Sequence, residues 1–204
     1  MHIAITGNIG AGKTTLAQLL AQHYNWDVLY EAVEGNPYLS DFYGDMARWS
    51  FHLQIYFLNS RFEQVQKIRA SGKSIIQDRT IYEDAYIFAK NLYDTGKMIP
   101  RDYETYQSLF DNMVGLVRPP DLMIYLRAEL PKLTGQIQKR GRDFEQSISP
   151  DYLQSLNVLY EEFARNYSVG DLLIIDVNNL DYASRPDDLQ HVIALIDNKL
   201  VMTV

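Results

Sequence analysis

The chain reads Gly7-Asn8-Ile9-Gly10-Ala11-Gly12-Lys13-Thr14 near its start, and this stretch decides its fold. The stretch matches in full the pattern Gly-x-x-x-x-Gly-Lys-Ser/Thr. The apolar residues from His2 to Thr6 predict a buried strand before it, and the pattern from Lys13 to Tyr24 predicts a helix after it. A glycine-rich turn between a strand and the N-terminus of a helix predicts a phosphate-binding loop, the P-loop.

Each residue type in the loop contributes to that prediction. Glycines let the loop curl so that backbone N–H groups point at phosphate oxygens, while Lys13 reaches the β- and γ-phosphates and Thr14 offers its hydroxyl to magnesium. An ordinary glycine-rich turn is the alternative, but the strand and helix around the loop favour phosphate binding. The predicted nucleotide-binding residues here are Gly7, Asn8, Ile9, Gly10, Ala11, Gly12, Lys13, Thr14 and Thr15.

The composition narrows the class of protein. The 204 residues fit one domain spanning 1–204, and 47% of them are hydrophobic, which is enough for a sizeable core. The formal net charge of -7 argues against nucleic-acid and membrane-surface partners, since both are polyanionic. The sequence has no cysteine, no secretory signal pattern and no apolar run of the roughly 20 residues that a transmembrane helix needs. We therefore expect a cytoplasmic protein that acts on a small molecule.

Strand and helix patterns alternate five times along the chain. The further predicted strands are Asp27 to Tyr30, Ser74 to Gln77, Leu122 to Leu126 and Leu172 to Ile175. The further predicted helices are Arg48 to Ala70, Tyr82 to Leu92, Arg101 to Leu116, one from about Leu130, Pro150 to Tyr167, and Asp187 to Leu200. This alternation predicts an α/β fold with a five-stranded parallel sheet and helices on both faces. Ligands of such sheets bind at the carboxyl ends of the strands.

Charged residues follow two of these strands. Glu31 closes the second strand, which we expect beside the P-loop strand if the strand order is the usual one, and its carboxylate can take a proton from a hydroxyl. After the third strand, Asp78 can hold magnesium through water and Arg79 can bridge an acceptor and a phosphate. A solvated acid at Glu31, and a helix cap followed by a surface arginine at Asp78-Arg79, are the alternatives.

The stretch Lys139-Arg140-Gly141-Arg142-Asp143-Phe144-Glu145 places two arginines around a glycine between helical patterns. Such a segment suits a short mobile lid, at about 139–149, whose arginines neutralise charge on a transferring phosphoryl group. A solvated charged face is the alternative, and the P-loop upstream favours the lid.

Taken together, these motifs resemble those of the deoxyribonucleoside kinases, from Ile3 to about Tyr182. The resemblance rests on the P-loop, Glu31-Ala32-Val33, Arg48-Trp49-Ser50-Phe51 with Gln54 and Arg61, Asp78-Arg79-Thr80 with Tyr82 and Asp84, Arg140-Gly141-Arg142 with Glu145, and Asp176-Val177-Asn178. It implies a P-loop kinase fold, ATP as phosphate donor, Mg²⁺ as cofactor, and a homodimer formed through the long helices near Arg48 to Ala70 and Tyr82 to Leu92.

The resemblance also implies roles for single residues. Glu31 would activate the 5′-hydroxyl of a deoxyribonucleoside, with Arg79 beside it and Asp78 and Thr14 on the magnesium side. The implied substrate contacts are Gln54 and Phe88 on the base, Tyr43 and Glu145 on the sugar 3′-hydroxyl, and Arg61 with Asp84 as a charged pair at the far end of the base pocket. The implied donor contacts are Arg140 and Arg142 in the lid and Asp181 and Tyr182 at the adenine.

Two positions depart from the pattern of the family. Ala32 stands where members usually carry proline, which should alter loop stiffness and not the chemistry. Gln136 stands where many members carry a further lid arginine, so that one cation is absent or is replaced by Lys139.

The long helix gives a second indication of ligand binding. Its apolar residues Phe51, Leu53 and Phe57 suit core and pocket equally well. A periodic stripe of apolar residues lies on one face of the helix, namely Phe51, Ile55, Leu58, Phe62 and Val65. Gln54 and Arg61 lie seven residues apart and therefore share one helix face, where a polar pair is better explained by a ligand.

The Arg61–Asp84 pair bears on the base. Asp84 can accept hydrogen bonds from an exocyclic amino group, and thymine has none. The sequence thus favours deoxyadenosine, deoxycytidine or deoxyguanosine over thymidine, with deoxyadenosine first.

Three other functions are open at this point. A nucleoside-monophosphate kinase of the thymidylate kinase type also has a P-loop, an Asp-Arg after a strand and a lid, but Glu31 would repel an acceptor phosphate. A GTPase-like switch needs an Asn-Lys-x-Asp motif, which the sequence lacks, although Asp41-Phe42-Tyr43-Gly44 imitates one switch motif. A catalytically dead nucleotide sensor would have lost Lys13, Glu31 or Arg79, and all three are present.

Overall fold

The computed structural model of the chain describes residues 1–33, 35–142, 145 and 147–203. Its sheet is built of β1 His2–Gly7, β2 Asp27–Leu29, β3 Ile75–Asp78, β4 Leu122–Arg127 and β5 Asp171–Asp176. All neighbouring strands are parallel, and their order across the sheet is β2-β3-β1-β4-β5. The predicted five-stranded parallel sheet is confirmed, and each strand end lies within one residue of its predicted position.

The helices follow the predicted patterns with one addition and one irregularity. They are α1 Lys13–Tyr24, α2 Leu39–Gly44, α3 Met46–Ser71, α4 Ile81–Glu83, a π-helical turn Asp84–Ala89, α5 Lys90–Asp94, α6 Pro100–Val114, α7 Leu130–Arg140, α8 Pro150–Asn166 and α9 Pro186–Thr203. Short helix α2 was not predicted, and the stretch Asp41–Gly44 that imitates a switch motif lies inside it. The helix predicted from Tyr82 to Leu92 is interrupted by the π-helical turn.

Helices cover both faces of the sheet, as the alternating pattern predicts. Consecutive side chains of β4 point to opposite faces, because side chains alternate along a strand, so Ile124 packs in one apolar cluster and Met123 in another. The first cluster includes Leu16 and Leu20 of α1, and the second includes Leu58 of α3. The sheet is therefore buried between two layers of helices.

The predicted strand neighbourhood of Glu31 is wrong, because β3 lies between β1 and β2. The connection through α1 passes over the position of β3 and leads to the edge of the sheet. Glu31 consequently follows an edge strand whose neighbour is β3, the strand that leads into Arg79.

The apolar stripe of α3 is buried only in part. Leu58 and Val65 are buried, but Phe51, Ile55 and Phe62 are only half-buried. The buried face is centred instead on a row that includes polar side chains, with Leu53, Gln54, Phe57, Leu58 and Arg61 among its members. The apolar stripe misleads because two core-facing positions of this helix are occupied by Gln54 and Arg61.

No helix in the described part of the chain is both long enough and apolar enough to cross a membrane.

Candidate active site

The P-loop joins β1 to α1 with two glycines in left-handed conformations. Gly10 has φ +86° and Gly12 has φ +93°, a region that residues with a side chain rarely adopt. A Cβ at Gly10 would lie 2.6 Å from the carbonyl oxygen of Leu133, and one at Gly12 would collide with the hydroxyl of Tyr182. The loop can therefore curl around an anion at the N-terminus of α1 only because these positions are glycine.

Lys13 is buried at the bottom of this loop. Its Nζ donates to the carbonyl oxygen of Asn8 at 3.1 Å. Burial, and then the positive charge of Arg79, lower the pKa of Lys13 to about 8. A phosphate group in the loop would offset both effects by supplying negative charge to the ammonium group.

The side chain of Asn8 turns away from the loop and towards α8. Its Nδ2 donates to Asn157 Oδ1 at 2.6 Å and to the carbonyl oxygen of Leu153 at 2.9 Å. Its Oδ1 accepts from the N–H of Ile9 at 2.7 Å. Because Asn157 Nδ2 in turn donates to Ala128 O at 3.0 Å, Asn8 ties the P-loop to α8 and to the end of β4. Since its side chain is used in these contacts, Asn8 can contact a ligand only through its backbone.

Thr14 and Asp78 meet beside the loop, as predicted for a magnesium site. The Thr14 hydroxyl donates to Asp78 Oδ2 at 2.5 Å, while Asp78 Oδ1 is buried with no hydrogen-bond partner in the described part of the chain. An unpaired carboxylate oxygen next to a hydroxyl suits Mg²⁺, which takes oxygen ligands from one or two carboxylates and from substrate phosphates. Among the described residues no group of three or more His, Asp or Glu side chains could hold a metal ion alone.

One oxygen of Glu31 contacts two arginines, accepting a hydrogen bond from Arg61 and forming an ion pair with Arg79. Its Oε1 lies 2.9 Å from Arg79 Nε and 3.1 Å from Arg61 Nη2. Burial acts to raise the pKa of Glu31, but the charges of Arg79, Arg61 and Lys13 outweigh it and hold that pKa at about 2. The Glu31 side chain remains 20% exposed, so this ionised carboxylate faces the cleft.

Arg61 links Glu31 to Asp84. Its Nε lies 3.6 Å from Asp84 Oδ2, so the predicted charged pair is present, and its Nη2 reaches Glu31 as well. Burial raises the pKa of Asp84 to about 7, although Arg61 and Arg79 oppose the shift. Asp84 is thus a carboxyl group whose charge depends on the pH near neutrality.

A cavity of about 500 Å³ opens between the P-loop and α3, a size typical of small-molecule sites. Gln54 and Phe88 line it, as do Tyr43 and Tyr152. The amide oxygen Gln54 Oε1 is buried with no hydrogen-bond partner among the described residues. The Arg79 guanidinium lies 4.5 Å from the centre of the Phe88 ring. The structure therefore brings a free hydrogen-bond acceptor and an aromatic face into one cavity with Glu31.

The lid arginines contact the residue predicted to bind the sugar. Arg140 Nη2 donates to Glu145 Oε2 at 2.6 Å, and Arg142 Nη1 lies 3.3 Å from Glu145 Oε1. All three side chains line the cavity. Of the predicted lid at 139–149, residues 143, 144 and 146 lie outside the described residues. Lys139 is exposed and is not among the residues that line the cavity.

A smaller recess lies on the other side of the P-loop. Its lining includes Gln136, Asp181, Tyr182 and Thr15. The hydroxyl of Tyr182 donates to the carbonyl oxygen of Ala11 at 3.2 Å. Asp181 and Tyr182 are therefore next to the P-loop, as expected for residues predicted to contact the adenine of the donor.

Comparison with known proteins agrees with this geometry. The profile of the protein family described as Deoxynucleoside kinase matches residues 3–202 of the chain. The deoxyadenosine kinase of Dictyostelium discoideum is 48% identical over 167 residues, which cover 82% of this chain and 68% of that protein. The deoxyadenosine/deoxycytidine kinase of Bacillus subtilis (strain 168) is 38% identical over 195 residues, covering 94% of this chain and 89% of that protein.

A solved structure gives the same answer. The deoxyadenosine kinase from M. mycoides, with the products dCMP and a flexible dCDP bound, has a TM-score of 0.87 and 32% identity, and the match covers 97% of this chain and 100% of that one. The chain belongs to the deoxynucleoside kinase family. The predicted family, the predicted P-loop kinase fold and the prediction of a kinase, a phosphotransferase with an alcohol group as acceptor, are confirmed.

Two buried residues of this deoxynucleoside kinase escaped the sequence analysis. Glu83 and Tyr160 both contact Arg79 Nη1, at 3.3 Å and 2.8 Å. The position of Glu83 could have been predicted, because Thr80-Ile81-Tyr82-Glu83 has the spacing of a capping box and forms one in the structure. No sequence pattern indicates the contact of Tyr160 with Arg79, since Tyr160 belongs to α8, far along the chain.

Proposed function

We propose that this deoxynucleoside kinase transfers the γ-phosphate of ATP to the 5′-hydroxyl of a deoxyribonucleoside, with Glu31 as the base. The observation that carries the proposal is the ionised Glu31 carboxylate, held 2.9 Å from Arg79 Nε at the junction of the P-loop and the cavity. A carboxylate at this place accepts a hydrogen bond from a hydroxyl, and it repels a phosphate. This favours a nucleoside over a nucleoside monophosphate as the acceptor.

A pKa of about 2 keeps Glu31 charged and makes it a weak base. That is sufficient for phosphoryl transfer, whose loose transition state needs little activation of the attacking oxygen. Glu31 would first orient the 5′-hydroxyl by accepting its hydrogen bond and would take the proton as the new P–O bond forms. Binding of the substrate between Glu31 and Arg79 would also weaken their ion pair and so raise the basicity of the carboxylate.

The phosphate donor would lie on the P-loop. Backbone N–H groups of the loop and Lys13 would hold its phosphates, and Arg140 and Arg142 would leave Glu145 to neutralise the transferring group. Thr14 and Asp78 would hold Mg²⁺, which supplies charge neutralisation on the phosphate oxygens when it is bound. Asp181 and Tyr182 would contact the adenine of ATP, and Tyr43 and Glu145 the sugar of the acceptor.

The base would lie between Phe88 and the polar atoms of Gln54 and Asp84. The unpaired Gln54 Oε1 would accept from an exocyclic amine, and Asp84, when ionised, would do the same. We therefore propose a preference for deoxyadenosine, or another base with an amino group, over thymidine. The names of the relatives support the amino-bearing bases as a group, since they include both deoxyadenosine and deoxycytidine.

The test is to incubate the protein with ATP and magnesium and each of the four deoxynucleosides, and to follow monophosphate formation. We expect deoxyadenosine to react fastest and thymidine slowest. Glu31→Gln should lower kcat about a hundredfold or more, while Glu63→Gln, which changes an exposed carboxylate on α3, should act like the wild type. Phosphorylation of a deoxynucleoside monophosphate without phosphorylation of its nucleoside would refute the proposal in favour of a monophosphate kinase.

We also propose a homodimer formed through α3 and the helical segment from Tyr82 to Leu92. The half-buried side chains of Phe51, Ile55 and Phe62 on α3, and the 48% exposed Tyr86, give these helices uncovered apolar surface. Elution at twice the 23.6 kDa mass of the chain is expected on gel filtration at micromolar concentration. Elution as a monomer would contradict it.

A further inference from the structure

The Arg79 guanidinium is held by a buried pair that lies outside the predicted site. Its Nη1 donates to Tyr160 Oη at 2.8 Å and to Glu83 Oε1 at 3.3 Å, and the Tyr160 hydroxyl donates to the same Glu83 oxygen at 2.9 Å. Glu83 and Tyr160 are fully buried. A different nitrogen of Arg79, Nε, faces Glu31. The guanidinium is therefore fixed on one side while its other side serves the cleft.

Each member of the pair is itself held in place. The other oxygen of Glu83, Oε2, accepts the backbone N–H of Thr80 at 2.9 Å and contacts the Thr80 hydroxyl at 3.4 Å. The Tyr160 ring stacks on Tyr125, with 5.7 Å between the ring centres. Three elements of the fold thus converge on one arginine, namely the end of β3, the short helix α4 and the middle of α8.

The backbone of Arg79 explains why such support is needed. Its φ is +74°, a left-handed conformation that costs a residue with a side chain of the order of 1 kcal/mol. The conformation persists only where surrounding contacts fix it. From this position after β3 the side chain reaches Glu31. Glu83 and Tyr160 fix Arg79 through its Nη1 atom, on the side that faces away from the cleft.

We infer that Glu83 and Tyr160 are positioning residues that keep Arg79 aligned during phosphoryl transfer. The inference rests on the proposed role of Arg79. In that reaction Glu31 turns to the substrate hydroxyl and loses its negative charge when it takes the proton. Glu83 stays buried and in contact with Arg79 Nη1, so a carboxyl group still faces the guanidinium when Glu31 has taken the proton. Glu31 thus takes part in proton transfer, while Glu83 keeps Arg79 in position.

The test combines steady-state kinetics with NMR of the Arg79 Nε–H group in protein labelled with ¹⁵N-arginine. Tyr160→Phe removes the hydroxyl and keeps the ring. We expect kcat for deoxyadenosine to fall about tenfold, as for the loss of one hydrogen bond to a charged group, with KM changed less than about threefold. Glu83→Gln should lower kcat further, because the amide lacks the charge that balances Arg79.

The NMR signal reports the position of Arg79 without relying on turnover. It is assigned by its loss in Arg79→Lys, and its exchange with water should be faster in both variants than in the wild type. Tyr167→Phe is the matched control, since it removes a hydroxyl just beyond α8 that has no hydrogen-bond partner among the described residues. Its kinetics and its Nε–H signal should equal those of the wild type.

Two results would overturn the inference. One is an unchanged kcat together with an unchanged Nε–H signal in both variants. The other is a raised KM at constant kcat, because that pattern marks the loss of ground-state binding. If the wild type phosphorylates none of the four deoxynucleosides, the proposed function fails, and the exchange of the Nε–H group alone still decides whether the pair positions Arg79.

Discussion

The two halves of the cleft differ in how far their polar side chains are already paired. In the phosphate half, Lys13 donates to the carbonyl oxygen of Asn8 and Thr14 donates to Asp78. In the base half, buried polar atoms of Gln54, Arg61 and Asp84 have no hydrogen-bond partner in the described part of the chain. Burying such atoms is unfavourable unless a ligand pairs them. Lys13 and Thr14 are thus paired before substrate arrives, with Asp78 Oδ1 left open beside them. In the base half, Arg61 and Asp84 form an ion pair without a hydrogen bond, and Gln54 Oε1 has no partner among the described residues.

The largest expected effect comes from breaking the phosphate half. Lys13→Met should lower kcat about a thousandfold with every deoxynucleoside, since it removes the buried cation proposed to contact the transferring phosphate. The ratio of rates between deoxyadenosine and thymidine should stay the same, because the base half is untouched. Steady-state rates for both nucleosides test this, with Lys73→Met as the control at an exposed lysine. A changed ratio would show that the two halves are coupled.

Breaking the base half should have a smaller effect and a different signature. Gln54→Leu removes the amide whose oxygen is unpaired, and we expect kcat/KM for deoxyadenosine to fall about a hundredfold, mainly through KM. Thymidine should lose less, so the preference narrows. The exposed Gln66 on the same helix offers a matched control in Gln66→Leu. Equal losses for all four nucleosides would argue against contact between Gln54 and the base.

The pH dependence of KM and of kcat should differ, because the base half contains Asp84 and the reaction depends on Glu31. The raised pKa of Asp84, about 7, means that this carboxyl is charged above pH 7 and gains a proton below it. The KM for deoxyadenosine should therefore rise as the pH falls below 7, by up to about tenfold per pH unit, and Asp84→Asn should abolish the trend. Because the pKa of Glu31 is about 2 in the free protein, a moderate rise on substrate binding leaves it ionised, and kcat should stay level from pH 7 to pH 5. A parallel fall of kcat would contradict this assignment.

The smallest effect is expected at the tie between the P-loop and α8. Asn157→Ala leaves Asn8 Nδ2 one hydrogen bond short and Ala128 O without its Asn157 partner. The free energy of unfolding should fall by about 1–3 kcal/mol, measured by urea denaturation, while base preference stays constant. Asn59→Ala on the exposed side of α3 is the control. A stability equal to that of the wild type would mean that water replaces the lost contacts.

The same contrast explains how much of the molecule the sequence could predict. The phosphate half follows from eight consecutive residues, and the strands follow from short apolar runs, so local patterns suffice for both. The base half draws Gln54 and Arg61 from α3 and Asp84 from the π-helical turn. The seven-residue spacing of Gln54 and Arg61 indicates a ligand, but the place of Asp84 and the roles of all three follow only from the family resemblance.

Other features could not be predicted because no local pattern encodes them. The place of β2 at the sheet edge depends on which strand pairs with which. The apolar stripe of α3 covers only part of the buried face, because Gln54 and Arg61 are buried as well. Tyr160 contacts Arg79 across 81 positions of sequence. Contacts between residues so far apart in sequence depend on how the helices and strands pack, and a single sequence does not show that packing.

The position of β2 has a consequence for how the enzyme loses activity. This strand has three residues, is paired on one side by β3 and ends just before Glu31. Short edge strands open at a lower free energy than central ones such as β1, so their amide hydrogens exchange first. Gentle heating should then separate Glu31 from Arg79 while the rest of the sheet is intact. We therefore expect the strand order to cause inactivation at temperatures below the melting transition, and this inactivation should reverse on cooling.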